Sequence, residues 1–212
     1  GKVAKDPETW KGFKAAMIEK KVPEWYIWSC EQIKYMFPKA HAAAYVIAAL
    51  RIAWYKIYYP VQFYSAFFTV RGGAIDAVAA VQGKEAVKRK MNEIKLKGNE
   101  ATAKEESQYV VLQIVIEMLA RGYEFLPVDL NKSDWRIYKI EDGKIRLPFS
   151  AIDGIGETAA QAIADAVQRN PDGFVASDDL ANEPGVGKSV VDALRAAGAL
   201  GDLPETTQIS LF

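Results

Sequence analysis

Apolar positions crowd between two prolines. From Ala40 to about Tyr59 the chain is apolar almost without interruption. Pro38 suits a first helical position, where no N–H is lost, and Pro60 ends the run. The pattern predicts one long helix. Upstream, Asp6-Pro7-Glu8 reads as an N-cap, a first-turn proline and a first-turn acid, with Trp10, Phe13 and Met17 on one face of the helix that follows. Val22-Pro23 breaks that helix, and a second is predicted over about Glu24–Met36, with Trp25, Trp28, Tyr35 and Met36 as bulk. Both are expected to buttress the central helix, which reads as buried. Trp54, Tyr55, Tyr58 and Tyr59 recur at helical spacing, as do Phe63, Tyr64, Phe67 and Phe68; core packing explains both stripes better than base stacking.

Arg71-Gly72-Gly73 forms a turn, and Gly83 separates a short helix from a basic one at about Lys84–Lys97, which Gly98 closes. Thr102 and Glu105 have capping-box spacing, and the helix beyond is apolar on every side from Tyr109 to Leu119, so it must be buried. Residues 135 to 148 change period. Trp135 and Ile137 alternate with Arg136, and Ile145 and Leu147 with Lys144 and Arg146, around an Asp142-Gly143 turn. The pattern predicts a small β-hairpin, a hinge or separate sheet between helical units. The fold class is mainly α: a helical domain over 1–124, a hairpin connector over 125–149, a second helical module over 150–203 and a flexible tail over 204–212.

With 212 residues, half of them hydrophobic, the chain can fill real cores. Its one cysteine, Cys30, excludes an internal disulfide and a cysteine-cluster zinc site and fits a reducing cytoplasm. No signal peptide is visible, and His41, Arg51 and Lys56 interrupt the apolar helix enough to argue against a membrane span. Net charge is zero, but the halves differ. Residues 1 to 100 hold 17 Lys and Arg against 9 Asp and Glu, and residues 101 to 212 hold 10 against 18. A basic first half suits a polyanion, although a run such as Lys84 to Lys97 is usually a solvated helix face.

Candidate chemistry begins at the start of the central helix. Lys39 and His41 sit in a first turn whose free N–H groups and positive dipole end favour an anion. Tyr45 lies one turn on, on the same face, within reach of a sugar or base. That outlines a nucleotide site; the plainer alternative is a histidine that caps the helix or faces water. The string FPKAHAAAY, with Arg51, Trp54-Tyr55-Lys56 and Tyr59-Pro60 after it, resembles the fingers-domain motif of bacterial replicative polymerases of the DNA polymerase III alpha family, most of all the Gram-positive PolC branch. The resemblance covers essentially the whole chain. It implies triphosphate contacts for Lys39 and His41 and a nascent-base-pair role for Tyr45 and Phe37, and it makes 1–124 a fingers domain.

From Ser150 a degenerate repeat appears. Ile152-Asp153-Gly154-Ile155-Gly156 precedes a helix with Ala159, Ile163 and Val167, and Pro184-Gly185-Val186-Gly187 precedes one with Val190, Val191 and Leu194. A Gly-hydrophobic-Gly turn before a helix lets backbone approach a phosphate. The repeat looks like a tandem helix-hairpin-helix module, which grips duplex DNA without reading sequence. Gly154, Gly156 and Thr158 form one candidate contact, and Gly185, Gly187, Lys188 and Ser189 the other. Residues 150 to 212 carry three cations against ten acids, so weak affinity with a shallow salt dependence is expected of this module alone. The second hairpin, with Lys188, is the better phosphate site on local charge.

The chain ends Gln208-Ile209-Ser210-Leu211-Phe212, similar to the sliding-clamp-binding motif of the same polymerases. Its terminal apolar pair calls for a partner's pocket. The combined reading is the C-terminal part of a replicative DNA polymerase that contacts dNTP, primer-template DNA, the sliding clamp and other replisome subunits. Phosphoryl transfer there needs two metal ions held by clustered carboxylates. No such cluster is evident, so Mg2+ is expected for the full-length polymerase and not for this piece, with the palm carboxylates and exonuclease upstream of Gly1. The alternative is a non-enzymatic, clamp-tethered DNA-binding adaptor.

Overall fold

The computed structural model describes residues 6–32 and 39–206. Phe37 and Pro38 and the tail Gln208–Phe212 lie outside the described residues. The chain divides into two compact units, Gly1–Ala53 and Trp54–Phe212, the division falling inside the segment expected to be one fingers domain.

In the first unit, α1 (Pro7–Glu19) opens on the expected proline with Asp6 as N-cap, and α2 (Glu24–Gln32) packs on it. Glu31 ties the two, accepting from Trp10 Nε1 at 3.0 Å and Lys14 Nζ at 2.7 Å, and these bonds hold its carboxyl below the usual range. The long helix α3 runs unbroken over Lys39–Tyr58 and crosses the division between units.

No residue of α3 is buried, which corrects the expectation of a buried helix. Leu50 and Ile57 are each 65% exposed, and Trp25 and Trp28 of α2, expected to buttress α3, are exposed as well. Hydropathy records what a helix would bury, not which residues come to cover it. The first aromatic stripe fails as core packing for the same reason: Trp54 rests on its own neighbours Tyr55, Tyr58 and Tyr59, with ring centroids 5.0–5.5 Å apart, and all four remain exposed.

The second unit is built on one continuous core. Pro60 opens α4 (Pro60–Arg71), whose Tyr64 and Phe68 are fully buried, as the second stripe predicted. α5 (Ala77–Gln82), the basic α6 (Lys84–Lys97) and α7 (Ala103–Ala120) follow as a packed series. Thr102 and Glu105 form the predicted capping box at α7, and the Glu105 carboxylate also pairs with Lys97. Those partners pull the Glu105 pKa down to about 2. Val111, Leu112, Val115 and Met118 put the buried face of α7 into the core, while Val110 stays exposed.

The small sheet is larger than the predicted hairpin. β2 (Lys139–Glu141) and β3 (Lys144–Arg146) pair antiparallel about Asp142-Gly143, and β1 (Phe125–Leu126) adds a parallel edge with Phe125 opposite Ile145. Trp135 and Ile137 fall outside the strands. Arg146, assigned to the polar face by alternation, is 6% exposed; it forks onto Glu141 at 2.6 and 2.8 Å and donates to the Pro127 carbonyl at 2.8 Å. Tyr138 bolts the sheet to α4: its N–H donates to Thr69 Oγ1, its carbonyl accepts from Ser65, and its hydroxyl donates to the Gly72 carbonyl. The sheet is thus part of the core, and the boundaries expected at 124/125 and 149/150 run through a single cluster. That cluster joins Phe68, Val115 and Ile145 to Ile163 of α8 (Glu157–Arg169), Leu180 of α9 (Ser177–Ala181) and Leu194 of α10 (Lys188–Ala196).

Where α3 meets α4, Arg121 donates through both terminal nitrogens to the Lys56 carbonyl at 3.1 Å and to the Tyr64 hydroxyl at 3.0 Å, and Lys56 Nζ pairs with Glu117 at 2.6 Å. Lys56 is therefore a structural cation at the core edge. Burial pushes the Tyr64 hydroxyl up to about 12.

Candidate nucleic-acid interface

Two hairpins of the same geometry lie in the second unit. In the first, Ile155 N–H closes a turn on the Ile152 carbonyl at 3.1 Å; in the second, Val186 N–H closes one on the Glu183 carbonyl at 3.0 Å. Each turn carries one glycine in left-handed conformation, Gly154 at φ +88° and Gly185 at φ +80°, where a side chain would be strained. The apolar residue between the glycines is buried in both, Ile155 and Val186, and roots the loop in the core. Gly156 and Gly187 then serve as extended N-caps of α8 and α10, neither with a side-chain cap. The first-turn amides therefore face outward, available to an anion. Gly154, Gly156, Thr158, Gly185, Gly187, Lys188 and Ser189 are all exposed.

The hairpins differ in what precedes and surrounds them. A single 3-10 turn, Phe149–Ala151, leads into the first, and α9 into the second. The second also rests on α8: a Cβ at Gly185 would lie 2.9 Å from Ala162 Cβ. Its flank is acidic and internally paired, with Glu183 accepting from Arg169 at 2.8 Å and from Asn170 at 2.7 Å. These partners hold the Glu183 carboxyl below its ordinary value. Arg195 is committed to Ser177 and the Leu203 carbonyl.

Pro204 and Glu205, assigned to a flexible tail, are hydrogen-bonded: their carbonyls accept from Ser177 N–H at 2.8 Å and Asp178 N–H at 3.1 Å. The start of α9 has few partners of its own, and this segment fills them.

On α3, Lys39, His41 and Tyr45 are exposed, and the His41 and Tyr45 rings lie on one face with centroids 4.5 Å apart. The structure thus brings His41 and Tyr45 together as the spacing required. Among the described residues no group of three or more His, Cys, Asp or Glu is placed to hold a metal, and no helix is long and apolar enough to cross a membrane. The described residues thus do not fit the two-metal centre that phosphoryl transfer requires.

Sequence reasoning missed Lys104. It sits on α7, 49 residues before its partner, yet its Nζ lies 2.8 Å from Asp153 of the first hairpin and holds that carboxyl below its usual pKa. Its only signal in the sequence was a cation in the turn after a capping residue.

A helix-hairpin-helix motif family matches residues 122–208, covering both hairpins and the sheet before them. The DNA polymerase III PolC-type of Thermotoga petrophila is 45% identical over 197 residues, 92% of this chain. Its counterparts in Clostridium perfringens, at 46% over 93% of the chain, and Lacticaseibacillus paracasei, at 44% over 97%, extend the likeness through both the α3 motif and the hairpins. The chain belongs to the PolC-type DNA polymerase III family. It spans 14% of the length of each of these PolC relatives.

Proposed function

We propose that this chain is the part of a PolC-type replicative DNA polymerase that contacts the incoming dNTP, grips duplex DNA and tethers the enzyme to a sliding clamp. What supports the reading is a likeness to PolC that runs across more than nine-tenths of the chain, through a helix bearing exposed Lys39, His41 and Tyr45 and on to two hairpins of matched geometry. Residues 1–124 then serve as fingers, 125–149 as connector, 150–203 as the DNA-binding module and 204–212 as the clamp tether. Lys39 and His41 meet the triphosphate, and Tyr45 and Phe37 meet the nascent base pair. The hairpins hold primer-template backbone through their exposed amides, with Lys188 and Ser189 adding to the second. Magnesium belongs to the full-length enzyme, held by carboxylates elsewhere, and no step of its chemistry is assigned to these residues. Other replisome subunits are partners of that enzyme, working in the cytoplasm.

In the full-length polymerase, Lys39→Ala and His41→Ala each remove a charge-assisted contact of about 1.5–3 kcal/mol. Steady-state incorporation should show kcat/KM for dNTP falling by roughly 10- to 100-fold, with primer-template affinity unchanged. Unaltered kcat/KM in both variants would remove these residues from the nucleotide site. Deleting Gln208–Phe212 should abolish capture by the sliding clamp and leave the melting temperature unchanged, since Leu211 and Phe212 would each lose a pocket contact of about 1.5–3 kcal/mol. Clamp capture by the truncated chain would refute the tether.

A further inference from the structure

The hairpin module is too acidic to hold a polyanion by its own charge, and the structure shows where cations come from. A groove of about 1110 Å3 separates α6 and the start of α7 from the first hairpin, with Asp153–Gly156 forming one wall and Arg89, Lys90 and Lys104 on the other. We propose that this groove takes the sugar-phosphate backbone of duplex DNA, so that α6 and α7 supply the phosphate-binding cations of the first hairpin. The inference rests on the reading of the hairpins as DNA-binding and adds a second wall to that site.

Charge complementarity carries it. The stretch Lys84–Lys97 holds six cations and two acids. Arg89 makes no hydrogen bond or ion pair among the described residues, and the ion pairs of Lys90, with Asp76 at 3.7 Å and Glu93 at 3.9 Å, are long. Lys104 is paired with Asp153, but the two side chains are 69% and 91% exposed. A pair so open to water holds its partners weakly, and a phosphate can take over the ammonium group at little cost. Lys97 is different: it is bound into the capping box with Glu105 and stays structural. Asp153 therefore occupies the place at the hairpin that a phosphate would fill. The first hairpin, not the second, becomes the stronger contact, reversing the order that local charge suggested.

The test measures binding of the whole chain to a short blunt duplex by fluorescence anisotropy across a potassium chloride series, with circular dichroism as the check on folding. Each lost phosphate contact lowers the slope of log affinity against log salt by about 0.9. The triple variant Arg89→Ala, Lys90→Ala, Lys104→Ala should lower it by roughly 2–3. The triple Lys84→Ala, Lys88→Ala, Lys95→Ala removes the same charge from α6 positions outside the groove and should leave the slope near its starting value. Asp153→Asn should tighten binding. Equal losses in the two triples, or no loss in the groove triple while substitution of Lys188 and Ser189 weakens binding, would overturn the groove and leave the hairpin reading standing. No duplex binding at low salt would overturn both.

Discussion

Replacing Gly185 with alanine is expected to unseat the second hairpin while Gly154→Ala leaves the first in place. Both positions are left-handed, so each substitution carries a strain of about 1–2 kcal/mol. Only Gly185 has a second constraint. Its new Cβ would meet Ala162 Cβ at 2.9 Å, a contact that real Cβ atoms do not make, whereas the same atom at Gly154 meets nothing within 4 Å. Ala162 is fixed on α8 and cannot swing aside, so overpacking adds about 1–3 kcal/mol. Thermal unfolding should therefore rank Gly185→Ala well below Gly154→Ala. A double variant with Ala162→Gly separates the two causes. It removes the clash but keeps the strain, and glycine in the helix costs about 1 kcal/mol. Its stability should exceed the sum of the single losses, and strict additivity would show that the α8 contact is not what demands glycine. Duplex binding should lose salt sensitivity in Gly185→Ala as Lys188 and Ser189 leave their place at the start of α10.

The contrast between these glycines shows what the sequence could disclose. That each hairpin needs glycine is local, a matter of one turn and the helix after it, and the paired Gly-hydrophobic-Gly strings made it visible. The same holds for Thr102 and Glu105, where three residues of spacing specify two hydrogen bonds, and for Pro60, which can only open a helix or end one. That Gly185 alone lies against Ala162 depends on how α8 returns past the second hairpin, which no short-range pattern encodes. Lys104 and Asp153 are 49 residues apart and meet for the same reason. β1 was missed because two residues carry no period, and its pairing is supplied by Ile145 and Arg146 on a strand twenty residues away. The largest misreading concerned α3. An apolar helix was taken to be buried because such helices usually are, yet burial belongs to a pair of surfaces and the sequence displays one of them.

The continuity of the core makes the second large prediction. Phe68 is fully buried, with its ring 5.1 Å from Phe125 and 5.7 Å from Tyr138, so it binds α4 to the sheet from both sides. Phe68→Ala removes these contacts and leaves a cavity among rings that are themselves held by hydrogen bonds, Tyr138 through Gly72, Ser65 and Thr69. Little collapse is possible, and the loss should be about 3–5 kcal/mol. For a unit of this size that corresponds to a fall in melting temperature of roughly 6–20 °C. A sheet acting as a hinge between independent modules would confine the damage to α4 and its neighbours. With Ile145, Ile163 and Leu194 in one cluster with Phe68, the helices bearing the hairpins must melt together with α4. Hydrogen exchange at α10 amides reads this directly. Protection there should drop in Phe68→Ala by as much as in α4, and undiminished protection in α10 would show that the hairpin module folds on its own core.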